Sequence, residues 1–300
     1  MNDARSKTLI TVDELAGLLD ARKPVVLLDV IDEQGAAPDD RPKIPGALSA
    51  HLATDFCSKP TATSGRRPLP DIIELQANAR GWGIRGDSLV VAYDNGAGAQ
   101  ASRAWWTLRW AGLTEVRVLD GGFAAWTAAG RPSSNHVATS AARAGDVVLT
   151  PGHMPTIDAD AAAALARQSK LFDARGRAAY VGEPDKAGTG HIPGSILAAA
   201  GENITGGKFK SNDELSTRFA QLGADGPTVG VYCGSGNAAA HAIAAMCAVG
   251  LMPALYVGSW SAWSADPSRP AATGPGAGVD PHSRGTHAAQ SGRLSGAKSK

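Results

Sequence analysis

Short apolar runs alternate with longer stretches of mixed polarity along this chain. "VVLLDV" (25–30), "LVVAY" (89–93) and "VRVL" (116–119) each predict a buried strand. Between the last two, residues 100–111 place Trp105, Leu108 and Ala111 at helical spacing, and Gly112 supplies a C-terminal stop. The second half repeats that order. A strand over 229–232 precedes a helix over 238–249, a stop at Gly250 and a further strand over 255–257. Apolar strands separated by helices predict a parallel sheet covered on both faces.

The repetition extends to short landmarks, with a period of about 140 residues. "VVLLDV" corresponds to "KLFDAR" (170–175), and "KIPGAL" (43–48) to "HIPGSI" (191–196). "SLVVAYDNGAGAQ" (88–100) corresponds to "PTVGVYCGSGNAA" (227–239), and "DGGFAAW" (120–126) to "VGSWSAW" (257–263). Each copy closes on an Arg-Pro pair, Arg131-Pro132 and Arg269-Pro270. The expected architecture is therefore two tandem α/β domains, each a small parallel sheet with helices on both faces. We place the first domain at 1–138, a Gly/Pro-punctuated linker at 139–155 and the second domain at 156–270. Residues 271–300 are Gly-, Ser- and Ala-rich without apolar periodicity and are expected to be a disordered tail.

Composition narrows the function classes. The chain is 43% hydrophobic and 19% charged, with a net charge of +1, so no basic excess points to nucleic acid. No apolar run approaches the roughly 20 residues needed to span a bilayer. The N-terminus is polar where a secretory signal has an apolar core, so a cytoplasmic location is expected. Cys57, Cys233 and Cys247 lie far apart, and no C-x-x-C pair exists. That spacing supports neither a zinc site nor a dithiol motif, and no metal or other cofactor is expected.

Cys233 is the residue whose setting suggests chemistry. It ends a strand and is followed by Gly234-Ser235-Gly236 and then a helix. Ligands of parallel sheets collect at the carboxyl ends of strands, and a helix N-terminus favours negative charge. The two glycines allow the loop amides to turn inward as an anion nest, in which a thiol is favoured as the nucleophilic thiolate. Cys247 falls inside the following helix among Ile243, Met246 and Val249, where packing is its expected role. Asp94 takes the position of Cys233 in the first half, and loop bracing is its expected role. His191 and His241 are expected to be structural.

These landmarks, in this order and twice, resemble the two-domain rhodanese-like sulfurtransferases, over roughly residues 8–270. The resemblance implies that Cys233 takes a sulfane sulfur from 3-mercaptopyruvate or thiosulfate as a persulfide. That sulfur then passes to a thiophilic acceptor, cyanide or a thiol. It implies that Gly234, Ser235, Gly236, Asn237 and Ala238 cradle the persulfide and donor, and that Arg175 in "FDAR" binds the donor's anionic group. It also implies a silent first domain, since the carboxylate of Asp94 cannot carry sulfane sulfur. The uncharged "CGSG" loop resembles the mercaptopyruvate-using group. Lys43 offers a point charge for an anionic donor, and Asp32 a carboxylate. Two other readings are a non-catalytic binding or regulatory protein and a phosphatase or arsenate reductase of similar fold. The second needs C-x5-R, and Ala239 stands where the arginine belongs.

Overall fold

The computed structural model describes residues 3–32, 41–136, 138, 140–224 and 228–278. Strands β1 (Leu9–Ile10), β2 (Val25–Ile31), β3 (Leu48–His51), β4 (Leu89–Tyr93) and β5 (Val116–Leu119) form a five-stranded sheet in the order β1-β5-β4-β2-β3. Strands β6 (Thr156–Ile157), β7 (Leu171–Asp173), β8 (Ile196–Leu197), β11 (Gly230–Tyr232) and β12 (Ala254–Tyr256) form the other, in the order β6-β12-β11-β7-β8. Strands β9 (Ile204–Thr205) and β10 (Lys208–Phe209) make a separate antiparallel pair. Every pairing within the two large sheets is parallel. The two strand orders are one order used twice.

Helices α1 (Asp3–Thr8), α2 (Val12–Asp20), α3 (Leu52–Asp55), α4 (Ile72–Gly81), α5 (Ala99–Trp110) and α6 (Gly122–Ala128) belong to the first half. Helices α7 (Ala159–Arg167), α8 (Arg177–Val181), α9 (Asn212–Gln221), α10 (Asn237–Ala248) and α11 (Ser259–Trp263) belong to the second. Helices α5 and α10 end alike. Gly112 and Gly250 are left-handed, with φ of 98° and 88°. The amides of Leu113 and Leu251 reach back to the carbonyls of Leu108 and Met246, closing a Schellman turn in each case.

Each sequence landmark corresponds to a bond made twice. The amides of Ile44 and Ile192, in the two "IPG" turns, each donate to the hydroxyl of the tyrosine ending the central strand, Tyr93 or Tyr232, at 3.1 Å. Trp126 and Trp263 each donate from Nε1 to the carbonyl of the closing proline, Pro132 or Pro270, at 2.8 Å. Arg131 and Arg269 lie over those same indole rings.

The domains meet along α5 and α10, which pack on each other. Residues Ala101–Leu108 of α5 and Ala239–Ala248 of α10 are buried on every side, which is why neither helix shows a polar face. One apolar cluster runs without a break from Leu28 and Trp106 of the first domain to Ile243 and Leu255 of the second. Burying each such large side chain contributes about 1.5–3 kcal/mol, so the seam joins the halves as one core. Helix α1 adds a clasp. Arg5 donates to Asp120 of the first domain and to Asn212 and the Lys210 carbonyl of the second.

Two segments are more ordered than their composition suggests. The linker runs bonded along the first domain, with the amides of Gly145, Thr150 and His153 donating to the carbonyls of Arg80, Ala111 and Trp110. The expectation of a disordered tail beginning at 271 needs correction. Ala272 exchanges backbone bonds with His191, and Ala277 accepts from the Gly194 amide. The backbone makes these bonds without any side-chain periodicity to announce them. Residues 279–300 of the expected tail lie outside the described residues. Among the described residues no helix is long and apolar enough to cross a membrane.

Candidate active site

Cys233 follows the central strand β11, at the carboxyl edge of the second sheet, and is 3% exposed. The Gly236 amide donates to Cys233 Sγ at 3.0 Å. Gly236 is the N-cap of α10 in the left-handed region, with φ 103°. This conformation turns its N–H back onto the sulfur, and a side chain there would be strained. The loop is buttressed by the start of α11. The amides of Trp260 and Ser261 donate to the carbonyls of Cys233 and Gly234. Ser259 Oγ accepts from the Cys233 amide at 3.3 Å and donates to the Tyr256 carbonyl. The amides of Ala238 and Ala239, in the first turn of α10, make no hydrogen bond among the described residues.

The first domain holds the same cradle, already filled. Asp94 Oδ1 accepts from the amides of Gly96 and Gly98, and Oδ2 from those of Gln100 and Ala101, all within 2.9–3.0 Å. Gly98 is the left-handed N-cap of α5, as Gly236 is of α10. Gln100 and Ala101 are the second and third residues of α5, as Ala238 and Ala239 are of α10. An anion bound to these amides is thus seen directly in the first domain, supplied by the protein's own side chain.

A cleft of about 1110 Å³ opens over the Cys233 loop. The second domain lines it with Ser235 and Asn237, the first with residues that include Asp32, Cys57, Lys59, Arg66 and Arg67. Arg67 is paired with Asp32 through both carboxylate oxygens. Arg66 is exposed, and its guanidinium makes no ion pair among the described residues. Its Nη2 comes within 3.2 Å of where a side chain on Gly234 would begin, so the glycine leaves room for it. The 61–67 loop is pinned across the domain boundary by the Arg66 amide, which donates to Ser261 Oγ. Gly65, with φ 77°, lies so close to the Gly258 carbonyl that a Cβ would stand 2.5 Å from it.

Of the residues proposed from sequence, Cys233, Gly234, Ser235, Gly236, Asn237 and Ala238 form this one loop and helix start. Arg175 stands apart from the cleft lining. Its guanidinium bonds Asp173 and the Gly190 carbonyl and stacks on Trp260, with its charge 4.8 Å from the ring centre. Lys43 does not face an incoming anion. It is buried, with Nζ bonded to Ser49 Oγ and 4.0 Å from Asp29. His191 is buried in its turn, with Nδ1 2.8 Å from the Tyr180 carbonyl. Cys247 is buried inside α10, and burial pushes its thiol up to about 12. Sequence reasoning missed Cys57, Lys59, Arg66 and Arg67. The basic pair in "GRRPLP" was the available signal, but it lies outside the repeated landmarks.

Comparison with known proteins agrees with the repeat. The Rhodanese-like domain matches residues 11–129 and again 158–266. A Mycobacterium tuberculosis protein, provisionally named thiosulfate sulfurtransferase SseB, is 40% identical over 90% of this chain and 99% of its own length. A Pseudomonas aeruginosa protein, provisionally named 3-mercaptopyruvate sulfurtransferase, is 40% identical over the same shares. The solved 3-mercaptopyruvate sulfurtransferase from Leishmania major shares the fold, with a TM-score of 0.74 and 24% identity over 87% of this chain and 75% of that one. With two matched copies and relatives aligned along nearly its whole length, the chain belongs to the rhodanese-like family.

Proposed function

We propose that this chain is a sulfurtransferase whose sulfur carrier is Cys233, with 3-mercaptopyruvate as the favoured donor. The observation that carries the reading is the Gly236 amide bonded to Cys233 Sγ at the edge of an interdomain cleft. In the first half-reaction the thiolate attacks the donor sulfur. An S–S bond forms, the C–S bond breaks, and its electron pair leaves with the enolate of pyruvate, which takes a proton. With thiosulfate the leaving group is sulfite. In the second half-reaction a thiol or cyanide attacks the outer sulfur and returns the Cys233 thiolate. The Asp94 cradle suggests where that outer sulfur sits, against the amides of Ala238 and Ala239. We place the reaction in the cytoplasm, with small-molecule donor and acceptor as partners.

Charge favours the mercaptopyruvate donor. The loop carries no cation, and the first-domain wall sets Lys59, Arg66 and Arg67 against Asp32, Asp71 and Glu74. A wall of balanced formal charge, whose one solvent-facing guanidinium without an ion pair among the described residues is Arg66, suits a single carboxylate better than the thiosulfate dianion. Measuring kcat/KM for both donors with one acceptor tests this, alongside the mass of the loaded protein. A clear thiosulfate preference overturns the donor. Failure of Cys233 to gain one sulfur overturns the mechanism.

A further inference from the structure

A second arginine of the first domain points at the same loop from inside the protein. Arg103, in α5, has no solvent exposure. Its Nη2 donates to the Arg67 carbonyl at 3.1 Å, while Nε and Nη1 bond no nitrogen or oxygen among the described residues. Among the described residues no carboxylate pairs with it; the thiols of Cys57 and Cys233 lie within range of its charge, with Cys57 placed to share a hydrogen bond with it. Nη1 stands 2.6 Å from where a Cβ on Gly236 would be, so the guanidinium rests on the very residue whose amide holds Cys233 Sγ. Burying a cation without a carboxylate partner is costly, the Trp106 ring centre 5.9 Å from the charge being its aromatic support, and an apolar side chain of similar volume would serve a core better.

The duplication supplies an internal control. Arg103 is the fifth residue of α5, and His241 is the fifth residue of α10. The two cross the domain seam in opposite directions. His241 Nε2 lies 3.0 Å from the Ala97 carbonyl, and its Cδ2 is 3.9 Å from the Cβ position of Gly98, the N-cap of the Asp94 cradle. Opposite the cradle that Asp94 fills stands an imidazole bonded to a carbonyl. Opposite the cradle that ends in Cys233 stands a cation whose Nε and Nη1 bond no nitrogen or oxygen among the described residues. Charge is placed only where the protein provides no anion of its own.

We propose that Arg103 is a catalytic residue lent by the first domain to the second, whose N–H groups hold the negative charge on the sulfur carried by Cys233. This rests on the reading of Cys233 as a sulfur carrier. The guanidinium stays protonated throughout and transfers no proton. It bonds the anionic outer sulfur while the persulfide exists, and the Sγ thiolate once the acceptor has removed that sulfur.

The test begins with the wild-type protein. Arginine side-chain N–H signals are recorded by NMR before and after loading with 3-mercaptopyruvate or thiosulfate, and Arg103→Lys identifies the Arg103 signal. Transfer of the added sulfur to a fixed excess of cyanide is then followed by thiocyanate and intact mass in the wild type, Arg103→Lys and Arg103→Gln. We expect the Arg103 signal to move on loading. We expect the loaded Arg103→Gln to pass its sulfur to cyanide about ten-fold or more slowly, with Arg103→Lys between, as for one charge-assisted hydrogen bond to the departing thiolate. A loaded wild type whose Arg103 signal does not move overturns the proposal, as does a folded Arg103→Gln that passes its sulfur to cyanide as fast as the wild type. If Arg103→Gln fails to fold, the wild-type signal decides. A wild type that gains no sulfur on Cys233 instead overturns the underlying reading, and this proposal with it.

Discussion

Asp94 and Cys233 occupy one position in two copies of one cradle. The N-cap glycine amide donates to Asp94 Oδ1 at 3.0 Å in the first domain and to Cys233 Sγ at 3.0 Å in the second. The carboxylate satisfies four amides that would otherwise be left without partners.

Replacing Asp94 therefore affects folding rather than chemistry. We expect Asp94→Ala to destabilise the protein by about 1–3 kcal/mol, the range for leaving hydrogen-bond donors without their partner. Urea unfolding measures the loss. Mass spectrometry of the donor-treated variant should still find one added sulfur on Cys233. An unchanged midpoint would show that the four bonds carry no net stability.

Gly236 is constrained twice, by its φ of 103° and by Arg103 Nη1 at 2.6 Å from any Cβ. We expect Gly236→Ala to cost about 1–2 kcal/mol through the left-handed backbone alone. Activity should fall further than stability, because the new methyl displaces both the amide and the guanidinium from the sulfur. Parallel thermal melts and turnover rates separate the two, and activity that merely tracks the folded fraction counts against the cradle.

His241 gives stability a pH dependence. Burial lowers it from 6.5 to about 4, so the folded protein keeps it neutral where the unfolded chain would protonate it. The unfolded state binds more protons between those two values. This contribution is thus complete above pH 6.5 and lost as pH falls toward 4, amounting to about 3 kcal/mol. His241→Gln can still donate to the Ala97 carbonyl and does not titrate. Its stability should vary less between pH 7 and 4.5 than that of the wild type; equal slopes would place the titration elsewhere.

Thiol labelling distinguishes the cysteines. With its thiol pushed up to about 12 inside α10, Cys247 should stay unmodified by iodoacetamide at pH 8 in the folded protein. Peptide mapping after labelling, with and without denaturant, reads this directly. Labelling of Cys247 under native conditions would mean that the α5–α10 seam opens.

Much of the fold was legible because each landmark is a local arrangement used twice. An "IPG" turn tied to a tyrosine, a tryptophan tied to an Arg-Pro pair and a glycine ending a helix all leave fixed marks in sequence. The Cys233 loop was legible for the same reason. Arg66 and Arg103 were not, because they reach across the domain boundary and a repeat does not show which of its surfaces face each other; Arg67 lines the cleft between the domains while pairing with Asp32 of its own domain. Arg175 could be placed at the sheet edge, but its commitment to Asp173 depends on side-chain geometry. The order in 272–277 rests on backbone bonds that need no particular side chains.

The crossing of Arg103 and His241 through the α5–α10 seam also bears on inheritance. Each half completes the other's loop, so after the ancestral duplication the two copies could diverge but could no longer be reassorted freely. A chimera joining the first half of one relative to the second half of another keeps every fold landmark. It can still lose its chemistry if the fifth residues of the two central helices come from mismatched parents.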